Sequence, residues 1–349
     1  MTRMTRKSRL SLFLLGLLAA FAAPLPAAIG QARDNIADAD FIEITPEVRK
    51  AVEKGLAYLK STQVEDGSFA ANRYGRNVGI TALSCLAFMA DGHLPGRGKY
   101  GDVVEKGLTF ILNSASETGF IAADVSHGPM YGHGFATLFL GEIYGMTGDR
   151  RVREALVKAV RLIVNTQNEE GGWRYRPEAA DADLSVTICQ VMALRSAREA
   201  GISVPKTTID RAISYVRQCQ TSDGGFKYML NSGGSAFPRS AAGVATLYYA
   251  GVYEDDAIRK GLAYLLPFRR EMGSYAIGHF YYGHYYAVQA MYLAGGDFWK
   301  QWFPAIRREV LFRQESDGKW SDPHGESYGS AMALIIIQMP NRYLPIFQR

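Results

Sequence analysis

Gln63-Val64-Glu65-Asp66-Gly67-Ser68-Phe69 returns, in outline, as Gln167-Glu170-Gly171-Trp173, Gln220-Asp223-Gly224-Phe226 and Gln314-Asp317-Gly318-Trp320. In each copy a Gln is followed at +3 by an acid, at +4 by Gly and at +6 by an aromatic residue. Four such matches in 349 residues are an internal repeat. The copies lie 104, 53 and 94 residues apart, so two of the three gaps hold a missing copy. Thr118-Gly119-Phe120 fills one; Gly273-Ser274-Tyr275, with Arg269 where Gln would stand, fills the other. Six units of about 50 residues then account for Glu47 to the C-terminus.

The segments around each motif predict helices of two kinds. Before it, apolar residues recur at helical spacing with Lys and Arg on the other face, as in Val48, Val52, Leu56, Leu59 and Val152, Leu156, Val160, Ile163. After it comes a helix apolar nearly all round: Ile80 to Met89, Thr187 to Leu194, Ala241 to Ala250, Ala331 to Met339. Such helices must be enclosed on both sides. Six pairs are best buried by closing into a ring, an all-α (α/α)6 toroid with the apolar helices inside. An open solenoid is the rival, but its end units would need polar outer faces, and the first and last units here are as apolar as the middle ones. Within the motif, the Gln is expected to bond orphan helix-end carbonyls, the acid–Gly pair to make a turn, and the aromatic to pack beneath it.

Composition agrees with a large core: 48% of residues are hydrophobic and 21% charged, which excludes disorder. The formal charge of +5 is concentrated at the N-terminus, where Arg3, Arg6, Lys7 and Arg9 precede the uncharged run Leu10 to Ala23. That run is too short for a stable membrane span and reads as the apolar part of a signal peptide, with cleavage after Ala32; an uncleaved anchor is the alternative. The organisation expected is a leader over 1–32, a linker over 33–46 and the toroid over 47–349. Without the leader, 35 basic residues face 34 acidic ones, so a nucleic-acid partner is not expected. Cys85, Cys189 and Cys219 are too few and too scattered for a disulfide framework, and no Cys follows the apolar run to carry a lipid.

Lys54-Gly55-Leu56-Ala57-Tyr58-Leu59 running into Gln63 to Phe69 resembles the QW repeat of the squalene and oxidosqualene cyclases, found in looser form in protein prenyltransferase β subunits. The resemblance covers nearly all of the chain after the leader and implies a ring of helices around an apolar, aromatic-lined cavity for polyprenyl chains. The cyclases contain two such domains, whereas six repeats make one. Asp181-Ala182-Asp183-Leu184-Ser185 resembles the cyclase D-x-D-D segment, which implies Asp183 as proton donor; Leu184 stands where the family has its last Asp.

Protonating an alkene requires a carboxyl kept neutral in a dry site, with Asp181 as the neighbouring carboxylate that raises the pKa of Asp183. Asp183 also suits the N-cap of the helix that follows. His127, Tyr131, His133 and Phe135 begin the second inner helix, and His279 to Tyr286 the fifth. Tyr131, Phe135, Tyr281, Tyr282 and Tyr285 are the expected aromatic wall, able to stabilise a cation. His133 and His284 are the expected proton relays. The bland alternative is that these rings only fill space between helices. Glu142 is a further candidate for the inner surface.

No metal and no cofactor is expected. The prenyltransferase-like zinc pattern is absent, His279 and His284 are five apart, and Asp255-Asp256 lacks a further acid. The expected protein is exported, periplasmic or extracellular, with a polyprenyl or other apolar ligand and room for association with a membrane surface; no protein partner is indicated. An isoprenoid cyclase-like enzyme is the first reading. A non-catalytic lipid- or protein-binding scaffold is the second, and a polysaccharide-active enzyme the third.

Overall fold

The computed structural model describes residues 44–69, 75–123, 128–273 and 278–348. The expected leader, most of the linker, His127, and Ser274 with Tyr275 of the weak fifth copy lie outside these residues. The described part is helical, without a β-strand. Its twelve helices are α1 (Pro46–Thr62), α2 (Val78–Met89), α3 (Gly101–Asn113), α4 (Pro129–Thr147), α5 (Arg150–Asn165), α6 (Leu184–Glu199), α7 (Lys206–Gln218), α8 (Phe237–Tyr249), α9 (Asp256–Leu265), α10 (Phe280–Ala294), α11 (Gly296–Arg313) and α12 (Glu326–Ile337). None is long and apolar enough to cross a membrane.

Odd- and even-numbered helices differ as their sequences require. In α5, Asp149 caps the first turn by accepting from the Arg151 N–H at 2.9 Å. Val152, Leu156, Ala159, Val160 and Ile163 are buried along one stripe, and Arg151, Arg153, Lys158 and Arg161 stay in solvent. In α2, capped by Asn77, every residue is buried. Each fully buried aliphatic side chain contributes about 1.5–3 kcal/mol, so a helix with no polar face is stable only inside a shell. The even helices supply that interior in cyclic order: α2 packs on α4, α4 on α6, α6 on α8, α8 on α10, α10 on α12, and α12 on α2.

The repeated motif joins neighbours around this circuit. The Gln63 amide donates to the Gly67 carbonyl in its own loop at 3.0 Å and to the Val103 carbonyl of α3 at 2.9 Å. Gln167 does the same to Gly171 and Thr208, and Gln220 to Gly224 and Ala257. Gln314 reaches Gly318 and, at 2.9 Å, Ala51 of α1, joining the end of the chain to its start. The acceptors lie in the motif's own loop and in the next outer helix, not at the end of the preceding one as expected. A carbonyl in the last turn of the preceding helix is met instead by the aromatic where it is Trp: Trp173 Nε1 donates to the Ile163 carbonyl and Trp320 Nε1 to Val310, both at 2.7 Å.

Glycine at +4 is required for space as well as conformation. Gly67 has φ of 90°, and a Cβ there would lie 2.2 Å from the Lys106 carbonyl oxygen on α3. Gly318 stands likewise over Lys54 of α1. In the weak second copy the register differs from the expected one: Ile121, not Phe120, takes the buried aromatic slot, pairing with Ala115 as Phe69 pairs with Gln63.

Candidate functional site

The first turns of the inner helices surround a cavity of about 910 Å³ at one mouth of the ring. Val78, Ile80 and Leu83 of α2, Phe135 of α4, and Phe237 with the nearby Phe268 give it an apolar wall. The hollow does not run through. Below it, side chains of α10 meet α4 and α6 across the ring: Tyr285 lies 6.2 Å from Phe135 between ring centres, and the Tyr286 hydroxyl is 3.4 Å from Cys189 Sγ. The opposite mouth is shut by the C-terminal segment, whose Ile346 and Phe347 are buried.

Asp183 caps α6, accepting from the Val186 N–H at 2.9 Å and the Ser185 hydroxyl at 2.6 Å, both at Oδ1. Its position is fixed by backbone bonds to the motif loop, Asp183 N–H to the Trp173 carbonyl and Trp173 N–H to Thr187 Oγ1. The carboxyl has no exposure and its Oδ2 makes no hydrogen bond among the described residues. Arg174 Nε lies 3.7 Å from that oxygen. Burial raises the pKa of Asp183 against the lowering effect of Ser185, Val186, Tyr228 and Arg174. Ser185, which does line the cavity, shares a 2.5 Å hydrogen bond with the hydroxyl of Tyr131 on the cavity wall. A chain of two hydroxyls thus leads from a buried acid of raised pKa to an apolar chamber. The N-cap and acid readings of Asp183 are compatible in this geometry.

Of the expected aromatic wall, Tyr131, Phe135 and Tyr282 line the cavity; Tyr281 and Tyr285 do not. Tyr281 sits edge-on to Phe280, and Tyr285 is beneath the floor. Asp181 is not the carboxylate neighbour of Asp183: it is half-exposed and ion-paired with Arg174, which stands between the acid and solvent.

His133 and His284 are likewise not relays on the wall. His133 Nδ1 accepts from the Ile121 N–H at 3.2 Å, under the motif loop. Phe69, Phe226 and Trp320 donate their N–H groups to Thr81, Ser240 and Ser330 in the same way, so His133 occupies a structural clasp position of the repeat. Burial pushes its pKa down to about 4. His284 lies among Phe237, Phe280 and Trp302, where burial and, secondarily, Arg313 push it down to about 3. Glu142 is buried far from the mouth, accepting from Ser196 Oγ at 2.6 Å and the Ile346 N–H at 3.0 Å.

His279, which opens the stretch singled out in the fifth inner helix, lines the cavity; sequence reasoning missed Ser185, Tyr175, Tyr228, Arg239 and His324, which line it too. A signal was present for the tyrosines. Tyr175 and Tyr228 each stand two residues beyond the motif aromatic, and their hydroxyls bond each other at 2.5 Å beside Asp183. Asp322 holds the same register place in the last unit and contacts His324.

The family model of the squalene-hopene cyclase C-terminal domain matches residues 136–306, a stretch holding Asp183 and the six whole helices α5 to α10. This match, over just under half of the chain, supports a squalene-cyclase-like superfamily. Drimenyl diphosphate synthase of Streptomyces showdoensis is 28% identical over 180 residues, 51% of this chain and 32% of that enzyme. The chain therefore spans about a third of the length of that relative. The type II terpene cyclase MstE of Scytonema superposes with a TM-score of 0.59 at 13% identity, over 86% of this chain and 98% of that one. An alpha-1,6-mannanase of Salegentibacter gives a TM-score of 0.62 at 9% identity, over 84% and 99%. At such identities the two structures share the fold of this squalene-cyclase-like chain and nothing more specific.

Proposed function

We propose that this protein is an acid-initiated isoprenoid cyclase-like enzyme, in which Asp183 supplies the proton and the cavity holds a polyprenyl chain. The observation that carries the reading is the buried carboxyl of raised pKa, separated from the apolar cavity by Ser185 and Tyr131 alone in its hydrogen-bond chain. With the carboxyl protonated, the proton moves from Asp183 to Ser185 while Ser185 passes its own to Tyr131 and Tyr131 gives its own to the alkene carbon. Asp183 is left as a carboxylate held by the Val186 N–H at the positive end of α6. The carbocation is stabilised by the faces of Tyr131, Phe135 and Tyr282, roughly 0.5–2 kcal/mol for each well-placed ring. Ring closure shifts the charge along the chain, and loss of a proton from the final cation, back through the same hydroxyls, restores the acid.

Support comes also from relatives: one is a drimenyl diphosphate synthase, and MstE has been solved with its substrate geranylgeranyl dihydroxybenzoate. The mannanase likeness favours glycan chemistry less, because hydrolysing a glycoside requires a pair of carboxyls and the described lining residues include none. We read the twelve helices as six outer–inner units of one domain over 47–349. The reading includes the leader over 1–32, so the enzyme works outside the cytoplasm, where a membrane surface supplies apolar substrate.

Incubation of the purified protein with squalene and with polyprenes of three to seven isoprene units, followed by product analysis, tests the proposal. Cyclic product is expected from the wild type and none from Asp183→Asn, a variant that keeps the helix cap and hence the fold. Absence of product from the wild type would leave a non-catalytic binding scaffold.

A further inference from the structure

The C-terminal segment that shuts the second mouth is held in two unlike parts. Residues 338–341 are fastened by side-chain amides to the end of α2, Gln338 Nε2 donating to the Ala87 carbonyl at 3.1 Å and Asn341 Nδ2 to the Ala90 carbonyl at 2.9 Å. Arg342 then turns the chain at φ of 55°, a left-handed conformation uncommon for a residue with a side chain, and Tyr343 beside it is exposed. Beyond the turn Leu344, Ile346 and Phe347 are buried, and the Ile346 N–H donates to Glu142 Oε2 at 3.0 Å. Apolar burial holds this second part at any pH, but its hydrogen bond to the inner helices ends on a titratable group.

The partners of Glu142 suit a neutral carboxyl better than the ion. Ser196 Oγ lies 2.6 Å from Oε1 and 3.3 Å from the Leu138 carbonyl. With the proton on Oε1, the carboxyl donates to Ser196, Ser196 donates to Leu138, and Oε2 accepts from Ile346, so every hydrogen is used. Ionisation turns the Ser196 hydroxyl back to Glu142 and leaves a charge sealed from water. The cation of α6 is already engaged: Arg195 pairs with Glu199 at 2.7 Å and donates to the Tyr248 carbonyl and the Tyr253 hydroxyl. Glu199 itself repels a charge on Glu142, and Tyr249 of α8 and Tyr285 of α10 face it as phenols that burial keeps neutral. The last turns of α2 and α12 carry no ionisable side chain, α5 meets α4 with its apolar stripe, and Arg342 with Tyr343 lines a separate groove beside α1.

We infer that residues 343–348 form a proton-latched flap, with Arg342 as hinge and Glu142 as latch, so that loss of the Glu142 proton favours lifting of the flap from the second mouth. Water then reaches the carboxylate, and the ring gains an entrance beneath the floor made by Tyr285 and Tyr286. The device does not depend on any chemistry in the cavity at the first mouth. Glu142 has its ordinary value of 4.5 with the flap up and about 7 with it down, so the closed flap holds the proton. Opening is therefore rarest below pH 4.5, grows more frequent as pH rises to about 7, and levels off above it.

Hydrogen exchange of the whole protein, read by mass spectrometry and corrected for the intrinsic rate at each pH, tests the inference without turnover. Between pH 4.5 and pH 8 the opening constant of the segment 343–348 should rise by about tenfold or more in the wild type, with most of the rise below pH 7. In Glu142→Gln, which keeps an acceptor for the Ile346 N–H, the constant should not change with pH. Carboxyl 13C NMR of the glutamate-labelled wild type gives a second readout that needs no variant: one Glu should titrate in step with exchange of the flap. Wild-type exchange that ignores pH, a titrating Glu out of step with the flap, or a Gln variant that keeps the pH dependence overturns the latch. Exchange in α5 and α7 with the same opening constant as the flap would mean that the molecule unfolds as a whole, and would overturn the flap as a separate moving part.

Discussion

His133 and Asp183 stand at neighbouring positions of the repeat, and their surroundings give them opposite roles. His133 points outward to hold a loop N–H; Asp183 ends a loop and points its carboxyl behind a hydroxyl on the wall. His133→Ala removes the acceptor of a buried N–H and leaves a void, at a cost of roughly 2–4 kcal/mol. Thermal or denaturant unfolding should show that loss, while turnover per folded molecule stays at the wild-type value. A drop in turnover with unchanged stability would instead make His133 a participant in the chemistry. The residue types were legible in the sequence, and the direction of each side chain was not. One helix turn separates facing the cavity from facing the shell, and Tyr281 and Tyr282, adjacent in the chain, fall on different sides of that boundary.

At the scale of elements, the motif acts as a coupling between units more than as an ornament of one. Its Gln bridges two carbonyls of different units, and its Gly lets a loop rest on the next outer helix. Gln314→Ala therefore removes a contact between α11 and α1 that spans nearly the whole sequence, and should lower unfolding free energy by about 1–3 kcal/mol. The companion effect is kinetic: hydrogen exchange at the start of α1 should quicken more than exchange in α5 or α7. Uniform quickening across all helices would show that Gln314 stabilises only its own loop. The same reasoning applies to Gly171, at φ of 101° with a Cβ position 2.3 Å from the Arg211 carbonyl oxygen. Gly171→Ala should destabilise by more than the loss of a single hydrogen bond, since the backbone of α7 has to move.

Over the whole molecule, the two mouths of the ring are unlike. One opens into the cavity; the other is closed by residues 338–348, tied by Gln338 to the Ala87 carbonyl, Asn341 to the Ala90 carbonyl and Ile346 to Glu142. Burial raises the Glu142 carboxyl to about 7, from 4.5 in an exposed chain. The folded state thus holds this proton more firmly than the unfolded one, and the associated stability is fully present below pH 4.5 and lost as pH rises through about 7. The shift corresponds to about 3 kcal/mol. Urea unfolding from pH 4.5 to pH 8 should show the wild type losing stability relative to Glu142→Gln by that order, with the change centred between those values. A constant difference across the range would mean that the carboxyl is already ionised when buried.

The sequence alone determined the alternation of half-buried and fully buried helices, the recurring turn and the place of Asp183 at a helix start, because periodicity, glycine conformation and capping are properties of neighbouring residues. Only the tertiary structure decided how deep the hollow runs and which groups face it. Tyr285 and Tyr286 fill the lower half by meeting Phe135 and Cys189 from across the ring, and Arg239, His279 and His324 reach the cavity from three different inner-helix starts. Those placements depend on the rotation of each inner helix about its axis. With apolar residues on every side, such a helix has no pattern from which that rotation can be read, and only packing against its neighbours sets it.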